Sequence, residues 1–251
     1  RRNFTYQFFP FQANIVRLGN ISESFAERLV ADLFLLNAYS DHFDMGMGGM
    51  LYYTTDPTPI PKRTYTYGRL SFDLAGNVLS LFNSAMPTNQ VNQHTIWQIP
   101  YAQYVRGELQ LGQTLRFGDG DTQAVALRFL VGAGYGYGNS TTVPFEKQFY
   151  AGGANSMRGW QARALGPGRV QPWTEYFLIP SQTGDFKMEA NVEYRFPIVW
   201  KLEGALFADA GNVWNLRLAD YLEGSNFSFD TIAADWGMGI RVNLDFILVR
   251  V

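Results

Sequence analysis

Cysteine is absent from the 251 residues. With it go disulfide frameworks, thiolate metal sites and cysteine nucleophiles. Charge is scarce as well: Asp, Glu, Lys and Arg make up 17 % of the chain, against roughly 25 % in an ordinary soluble domain. A net charge of −2 offers no concentrated basic face, so nucleic acid is excluded as an expected partner. Long apolar runs are also missing. Apolar residues make up 47 % of the chain and aromatics 16 %, yet no stretch approaches the roughly 20 consecutive apolar residues of a spanning helix. A membrane-embedded chain of this kind has to cross with strands. The opening Arg1-Arg2-Asn3-Phe4 carries neither an initiator methionine nor the apolar core of a signal peptide, so the chain reads as an excised or processed piece. No composition shift marks a linker, and residues 1–251 read as one unit.

What the chain has is two-residue alternation, the mark of a sheet with one apolar and one polar face. From Val105 to Phe117 the apolar face carries Val105, Leu109, Leu111, Leu115 and Phe117, with Gln113 its one outlier. The other carries Arg106, Glu108, Gln110, Thr114 and Arg116. Phe186, Met188, Ala190, Val192, Tyr194 and Phe196 alternate with Lys187, Glu189, Asn191, Glu193 and Arg195. Trp236, Met238, Ile240, Val242, Leu244 and Phe246 oppose Asp235, Gly237, Gly239, Arg241, Asn243 and Asp245. Weaker forms run through Phe4 to Leu18, Leu29 to Tyr39, Phe43 to Thr55, Arg63 to Ala75, Ala124 to Tyr135 and Leu202 to Trp214. That makes about ten strands, with a further one starting at Ile247. Several exceed the roughly 9 to 11 residues that cross a bilayer.

Connections alternate short and long, as in a barrel with tight turns on one side and loops on the other. Residues 117–121, 196–198 and 243–245 read as short turns. Residues 76–100, 136–185 and 211–234 read as long loops. A soluble sandwich or lipocalin-like barrel also alternates, and periodicity alone does not say which face points inward. Charge on one face of almost every strand, aromatics near strand ends, and strands too long and numerous for a small core favour a transmembrane antiparallel β-barrel.

Between two of the clearest strands lies Gln148-Phe149-Tyr150-Ala151-Gly152-Gly153-Ala154-Asn155-Ser156-Met157-Arg158-Gly159-Trp160, followed by Ala164-Leu165-Gly166-Pro167-Gly168. This resembles the sixth extracellular loop of the BamA and TamA barrels, the bacterial surface antigen superfamily. Met157 stands where the family has valine, and Trp160 where it has phenylalanine or tyrosine. The resemblance implies that the loop, residues 137–185, bends into the barrel lumen. Its arginine then docks on acids of the next two strands. Asn191 to Pro197 looks like the first of those strands, with Glu193 facing inward. Ala205 to Trp214 looks like the second, with Phe207 and Asp209 inward together. The physical logic agrees, since an arginine in a partly dehydrated lumen needs carboxylate partners. Gly152, Gly153 and Gly159 permit turns or close approaches that a side chain would block.

The resemblance is strong over residues 148–251 and looser before them. Arg1 to Pro10, Tyr52 to Asp56 and Leu74 to Asn77 look most like the TamA-like branch of Bacteroidetes, sometimes named TamL. On that footing the chain corresponds to about strands six to fifteen of a sixteen-stranded barrel, incomplete at both ends. The resemblance further implies a non-enzymatic outer-membrane machine for protein insertion or translocation, without cofactor or metal. Its partners would be the lipid bilayer, client outer-membrane proteins, and periplasmic domains or lipoproteins of the same machine. In that family the mechanism rests on a weak seam between first and last strands, where a client strand can pair. A passive secretion pore or diffusion channel is the alternative, because a polar lumen suits both.

Other signals carry less. Gly132 to Gly138 lacks the lysine and helix of a nucleotide loop. Asp119-Gly120-Asp121 lacks the downstream glutamate of a calcium loop. His42 and His94 are the two imidazoles, and Asp41-His42-Phe43-Asp44 could imitate a hydrolase dyad at a barrel rim. Val78-Leu79-Ser80-Leu81-Phe82 reads as a short helix sealing the barrel mouth, or a partner contact.

Overall fold

A computed structural model describes residues 2–17, 19, 40–59, 61–170, 182–217, 222–243 and 248–250. The anticipated strand at Leu29 to Tyr39 lies outside these residues, as do Leu18, Ile247 and most of the turn expected at 243–245. The described chain forms one nine-stranded antiparallel sheet and a two-residue-strand hairpin. The strands are β1 (Phe4–Val16), β2 (His42–Thr54), β3 (Tyr65–Ala75), the hairpin β4 (Thr95–Ile96) and β5 (Ile99–Pro100), β6 (Tyr104–Phe117), β7 (Gln123–Gly136), β8 (Phe186–Val199), β9 (Leu202–Trp214), β10 (Ala233–Asn243) and β11 (Leu248–Arg250). Leaving out the hairpin, each strand pairs with its sequence neighbour, so the sheet is an open meander with β1 and β11 at its edges.

Strand length follows from the alternation. β6 and β7 stay paired from Tyr104↔Gly136 to Phe117↔Gln123 without a slip, because a one-residue shift would turn every charged side chain onto the apolar face. The fourteen residues of each span roughly 48 Å at about 3.4 Å per residue. That exceeds what a tilted strand needs to cross a hydrocarbon core.

The two faces differ as the sequence pattern requires. On one, Leu111, Leu127, Phe129, Val192, Leu206, Trp236, Met238 and Ile240 stand bare, Trp236 with 81 % of its surface exposed. On the other, Glu189, Glu193, Asp209 and Arg241 are buried. A soluble sandwich would reverse this and cover the apolar side. Here the charged face is the covered one.

Two boundaries differ from expectation. The turn anticipated at Phe196-Pro197-Ile198 is strand: β8 continues to Val199, and the hairpin tip is Trp200-Lys201. Pro197 has no N–H to donate, and the ladder absorbs this as a register shift between Pro197 and Val199 instead of ending there. The loop expected from Gly211 starts later, because β9 runs to Trp214. Trp214 is fully buried, packs edge-on against Phe227 at 4.9 Å, and donates Nε1–H to Thr231 Oγ1 at 2.7 Å. Loop packing there extends the strand past the alternating zone.

Within the long connection after β3, Asn77–Ser80 forms a single helical turn. Its Leu79 packs with Phe43, Ile99 and Tyr101, while Leu81 and Phe82 are exposed. This small core ties the connection to the end of β2.

Candidate functional site

The described part of the connection between β7 and β8, residues 137–170 and 182–185, does not project away from the sheet. The stretch 149–165 lies on the polar face, and its fit begins with apolar anchors. Phe149, Ala151 and Met157 are buried with Val213 of β9, and Trp160 and Leu165 pack against them. Burying Met157 and Phe149 contributes about 1.5–3 kcal/mol each. The Arg106 guanidinium lies 4.2 Å from the Phe149 ring centre and donates Nε–H to the Lys147 carbonyl at 2.8 Å.

Backbone conformation then sets the loop's shape. Gly152 and Gly153 have φ of 98° and 93°, a region that residues with a Cβ avoid. A Cβ on Gly152 would also overlap the Gln161 carbonyl oxygen. The turn is closed by Gly153 N–H to Trp160 O at 2.8 Å, Trp160 N–H to Met157 O at 3.2 Å, and Arg163 N–H to Ala151 O at 2.9 Å. Gly159 serves another purpose: a Cβ there would come within 2.8 Å of Asp235 Cβ, so the glycine permits close approach to β10.

This shape aims Arg158 at the sheet. Its Nε and Nη2 fork onto Asp209 at 2.8 Å each, its backbone N–H reaches the same carboxylate at 3.1 Å, and Nη1 donates to Glu193. The guanidinium lies 3.7 Å from the centre of the Phe207 ring. That ring in turn occupies space left by Gly237 of β10, where a Cβ would meet it at 2.6 Å. Burial disfavours the charged Arg158, but the bonds to Asp209 and Glu193 outweigh it and raise its pKa above the ordinary arginine value. Arg158 therefore stays charged.

Glu193 also receives Arg195 Nε at 2.7 Å and Arg241 Nη1 at 2.6 Å, so three arginines converge on one carboxylate. The structure thus brings together the loop motif and the docking partners that the resemblance implied: Gly152, Gly153, Met157, Arg158, Gly159 and Trp160 in the loop, and Glu193, Phe207 and Asp209 beneath it.

Sequence reasoning passed over four further contacts. Ser156 donates its hydroxyl to Glu189, which is fully buried and also held by Arg128 at 2.7 Å and Lys187 at 2.9 Å. Asn191 Nδ2 donates to the Ser156 carbonyl at 2.9 Å and to Asp209 at 2.8 Å. Asp235 accepts the Gly159 N–H at 2.9 Å. Asn212 donates to the Gly168 carbonyl at 3.0 Å, which seats the end of the Leu165-Gly166-Pro167-Gly168 run. Glu189, Asn191 and Asp235 were visible as members of the polar face, but periodicity does not say which of them the loop reaches.

Beside the seated loop a cavity of about 360 Å³ remains, lined by Tyr67, Gln110, Arg128, Arg158 and Arg195 among others. His42 lies elsewhere. Its Nε2 meets Glu146 at 2.6 Å and its Nδ1 faces the Ser40 carbonyl at 2.9 Å, so both ring nitrogens are engaged and the Glu146 contact ties β2 to the same β7–β8 connection.

Comparison with known proteins places this geometry in context. A family model described as the Omp85 superfamily domain matches residues 86–251. The outer membrane protein assembly factor BamA of Neisseria meningitidis serogroup B is 36 % identical over 95 residues, covering 36 % of this chain and 12 % of that protein. The crystal structure of BamA from Haemophilus ducreyi lacking POTRA domains 1–3 is similar with a TM-score of 0.42 at 18 % identity, covering 82 % of this chain and 50 % of that one. The match thus spans about an eighth of the first relative and half of the second.

Proposed function

This chain belongs to the Omp85 superfamily, and we propose that it is the barrel portion of a machine that assembles, inserts or translocates proteins at the bacterial outer membrane. Its location is the outer membrane, and its fold is an antiparallel sheet with a bare apolar face. Residues 1–251 form one part of a barrel domain that the complete protein closes, and residues 137–185 are its lumen loop. The TamA-like branch is the finer assignment, supported by the segments at Tyr52 to Asp56 and Leu74 to Asn77. Clients are other outer-membrane proteins, and partners include the bilayer and periplasmic domains or lipoproteins.

One observation carries the reading: the Met157–Trp160 turn is seated on the polar face, with Arg158 forked onto Asp209 and bonded to Glu193. A diffusion pore needs an open polar passage, whereas this loop occupies part of the face that would line it. In the role proposed, Arg158, Glu193 and Asp209 brace the wall of the barrel and perform no bond chemistry. They hold the lumen in one arrangement while a client strand pairs at an edge elsewhere.

The test uses the full-length protein in lipid vesicles. The wild type is expected to accelerate insertion of an unfolded outer-membrane barrel, Arg158→Ala to lose most of that acceleration, and planar-bilayer conductance to be small and irregular. Steady, large conductance without insertion activity would establish the passive pore instead.

A further inference from the structure

Asp209 and Asp235 are direct partners across the β9–β10 ladder, both on the polar face. Like charges directly opposite one another weaken an antiparallel pair, so this register is a poor one for the two strands alone. What offsets it comes from the loop. Asp209 takes the Arg158 fork and the Arg158 backbone N–H, while Asp235 takes the N–H of the next residue, Gly159. Two consecutive loop amides are therefore divided between two neighbouring strands, one carboxylate each.

The surroundings supply little else. Asp209 has one further donor, Asn191 Nδ2 at 2.8 Å. Among the described residues no donor reaches Asp235 Oδ1, which is buried. Gly159 lacks the Cβ that would strike Asp235, so the loop backbone can settle close enough for the bond. Both bonds require Asp209 and Asp235 to be level, which only this pairing register provides.

We propose that the Asp209–Asp235 pair makes β9–β10 pairing conditional on the seated loop. With Met157–Trp160 in place Asp209 is charge-paired by Arg158 and Asp235 is hydrogen-bonded by Gly159, and with the loop lifted both supports are lost, the two carboxyl groups face each other across the ladder and the row loosens. The inference rests on the docking role of Arg158 proposed above. Coupling of this kind is reciprocal: loosening β10 removes the Gly159 contact and weakens the loop's seat. β10 also pairs with β11 at the edge of the described sheet, so a change at the loop reaches a strand next to that edge.

Hydrogen exchange on the full-length protein in vesicles tests this with Arg158→Ala, Asp235→Asn and the double variant. Arg158→Ala is expected to speed exchange about tenfold or more in two places: the peptide covering 149–163, and the β9 and β10 peptides covering Asp209 and Asp235. Adding Asp235→Asn removes one charge but keeps an acceptor oxygen, and should return the strand peptides toward wild type while the loop peptide stays fast. Strand peptides that ignore Arg158→Ala, or that Asp235→Asn does not restore, overturn the coupling. A wild-type loop that already exchanges as fast as the Arg158→Ala loop overturns the docking reading instead. If Arg158→Ala does not fold, the same comparison is made with Arg158→Lys, which keeps a charge but lacks the fork.

Discussion

Arg158 meets Asp209 through three donors: Nε and Nη2 at 2.8 Å each and its own backbone N–H at 3.1 Å. Side chain and main chain of one residue thus converge on one carboxylate that is itself fully shielded. Such a pair is specific because the fork reads the carboxylate plane and the amide reads the loop's position. Its loss strands Asp209 and weakens the hold on Glu193.

Arg158→Ala is expected to cost about 3–5 kcal/mol, as for a buried ion pair that loses one partner. Arg158→Lys should fall between the two, since an ammonium cannot fork. Trypsin cleavage after Arg163, five residues along the same loop, reads the outcome. Wild type should resist, Arg158→Lys should be cut slowly and Arg158→Ala rapidly, and equal rates for all three would count against the loop being held by Arg158.

Gly152 and Gly153 should not be equivalent. Both have positive φ, so alanine at either strains the backbone by about 1–2 kcal/mol. Only at Gly152 would the new Cβ also overlap the Gln161 carbonyl. At Gly153 the nearest atom is Ala162 Cβ at 3.5 Å, an ordinary contact. Thermal unfolding in detergent should therefore rank wild type above Gly153→Ala, and Gly153→Ala above Gly152→Ala.

Trp236 reports which face meets lipid. It lies in the first half of β10, opposite Ala208 at the middle of β9, and it is more exposed than Met238 or Ile240 of the same strand. Trp236→Arg should destabilise the protein in a bilayer by about 2–4 kcal/mol. Brominated acyl chains should quench Trp236 strongly and leave the fully buried Trp214 nearly untouched. Quenching in the reverse order would place the apolar face inside.

The Glu146–His42 bond predicts acid sensitivity of the loop's first part. Burial pushes Glu146 up, but the hydrogen bond and charge of His42 outweigh it and hold its pKa below the ordinary glutamate value. A depressed carboxylate contributes its full stabilisation above the unfolded pKa and loses it as pH falls through the lowered folded value. Trypsin cleavage after Lys147, the neighbouring residue, should thus be slow near neutral pH. Because trypsin itself works poorly in acid, pepsin cleavage around Phe145 reads the acid limb, and should rise with acidification well below the usual glutamate range. His42→Gln should shift that rise to higher pH.

Much of the fold was legible in advance because period-two alternation is a local property. The Leu202–Trp214 strand was bounded correctly to the residue, and β6, β7 and β8 to within a few positions. The misplacements fall where alternation stops being the controlling factor. At Pro197 a turn former is accommodated inside a paired strand, and the loop start drawn at Gly211 overlapped the strand drawn to Trp214, where packing from Phe227 and Thr231 keeps the chain extended. For the loop, the glycine pair and Met157-Arg158-Gly159-Trp160 were conspicuous, and their match to a family pattern pointed to Glu193 and Asp209. Asp235 and Glu189 lay in the same alternating lists without distinction.

By itself the sequence determined that a membrane crossing is made by strands and not by helices, and that each strand has a polar and an apolar face. Those properties follow from composition and from a spacing of two. It also determined that the 137–185 segment contains a turn that glycine must make. Only the tertiary structure decided that the charged face is the covered one, and that the loop lies on it. It alone showed that Arg158 and Gly159 divide their amides between Asp209 and Asp235. The reason is physical: facing carboxylates on neighbouring strands are brought level by pairing register, and a bond between residues 76 positions apart leaves no periodic trace in either segment.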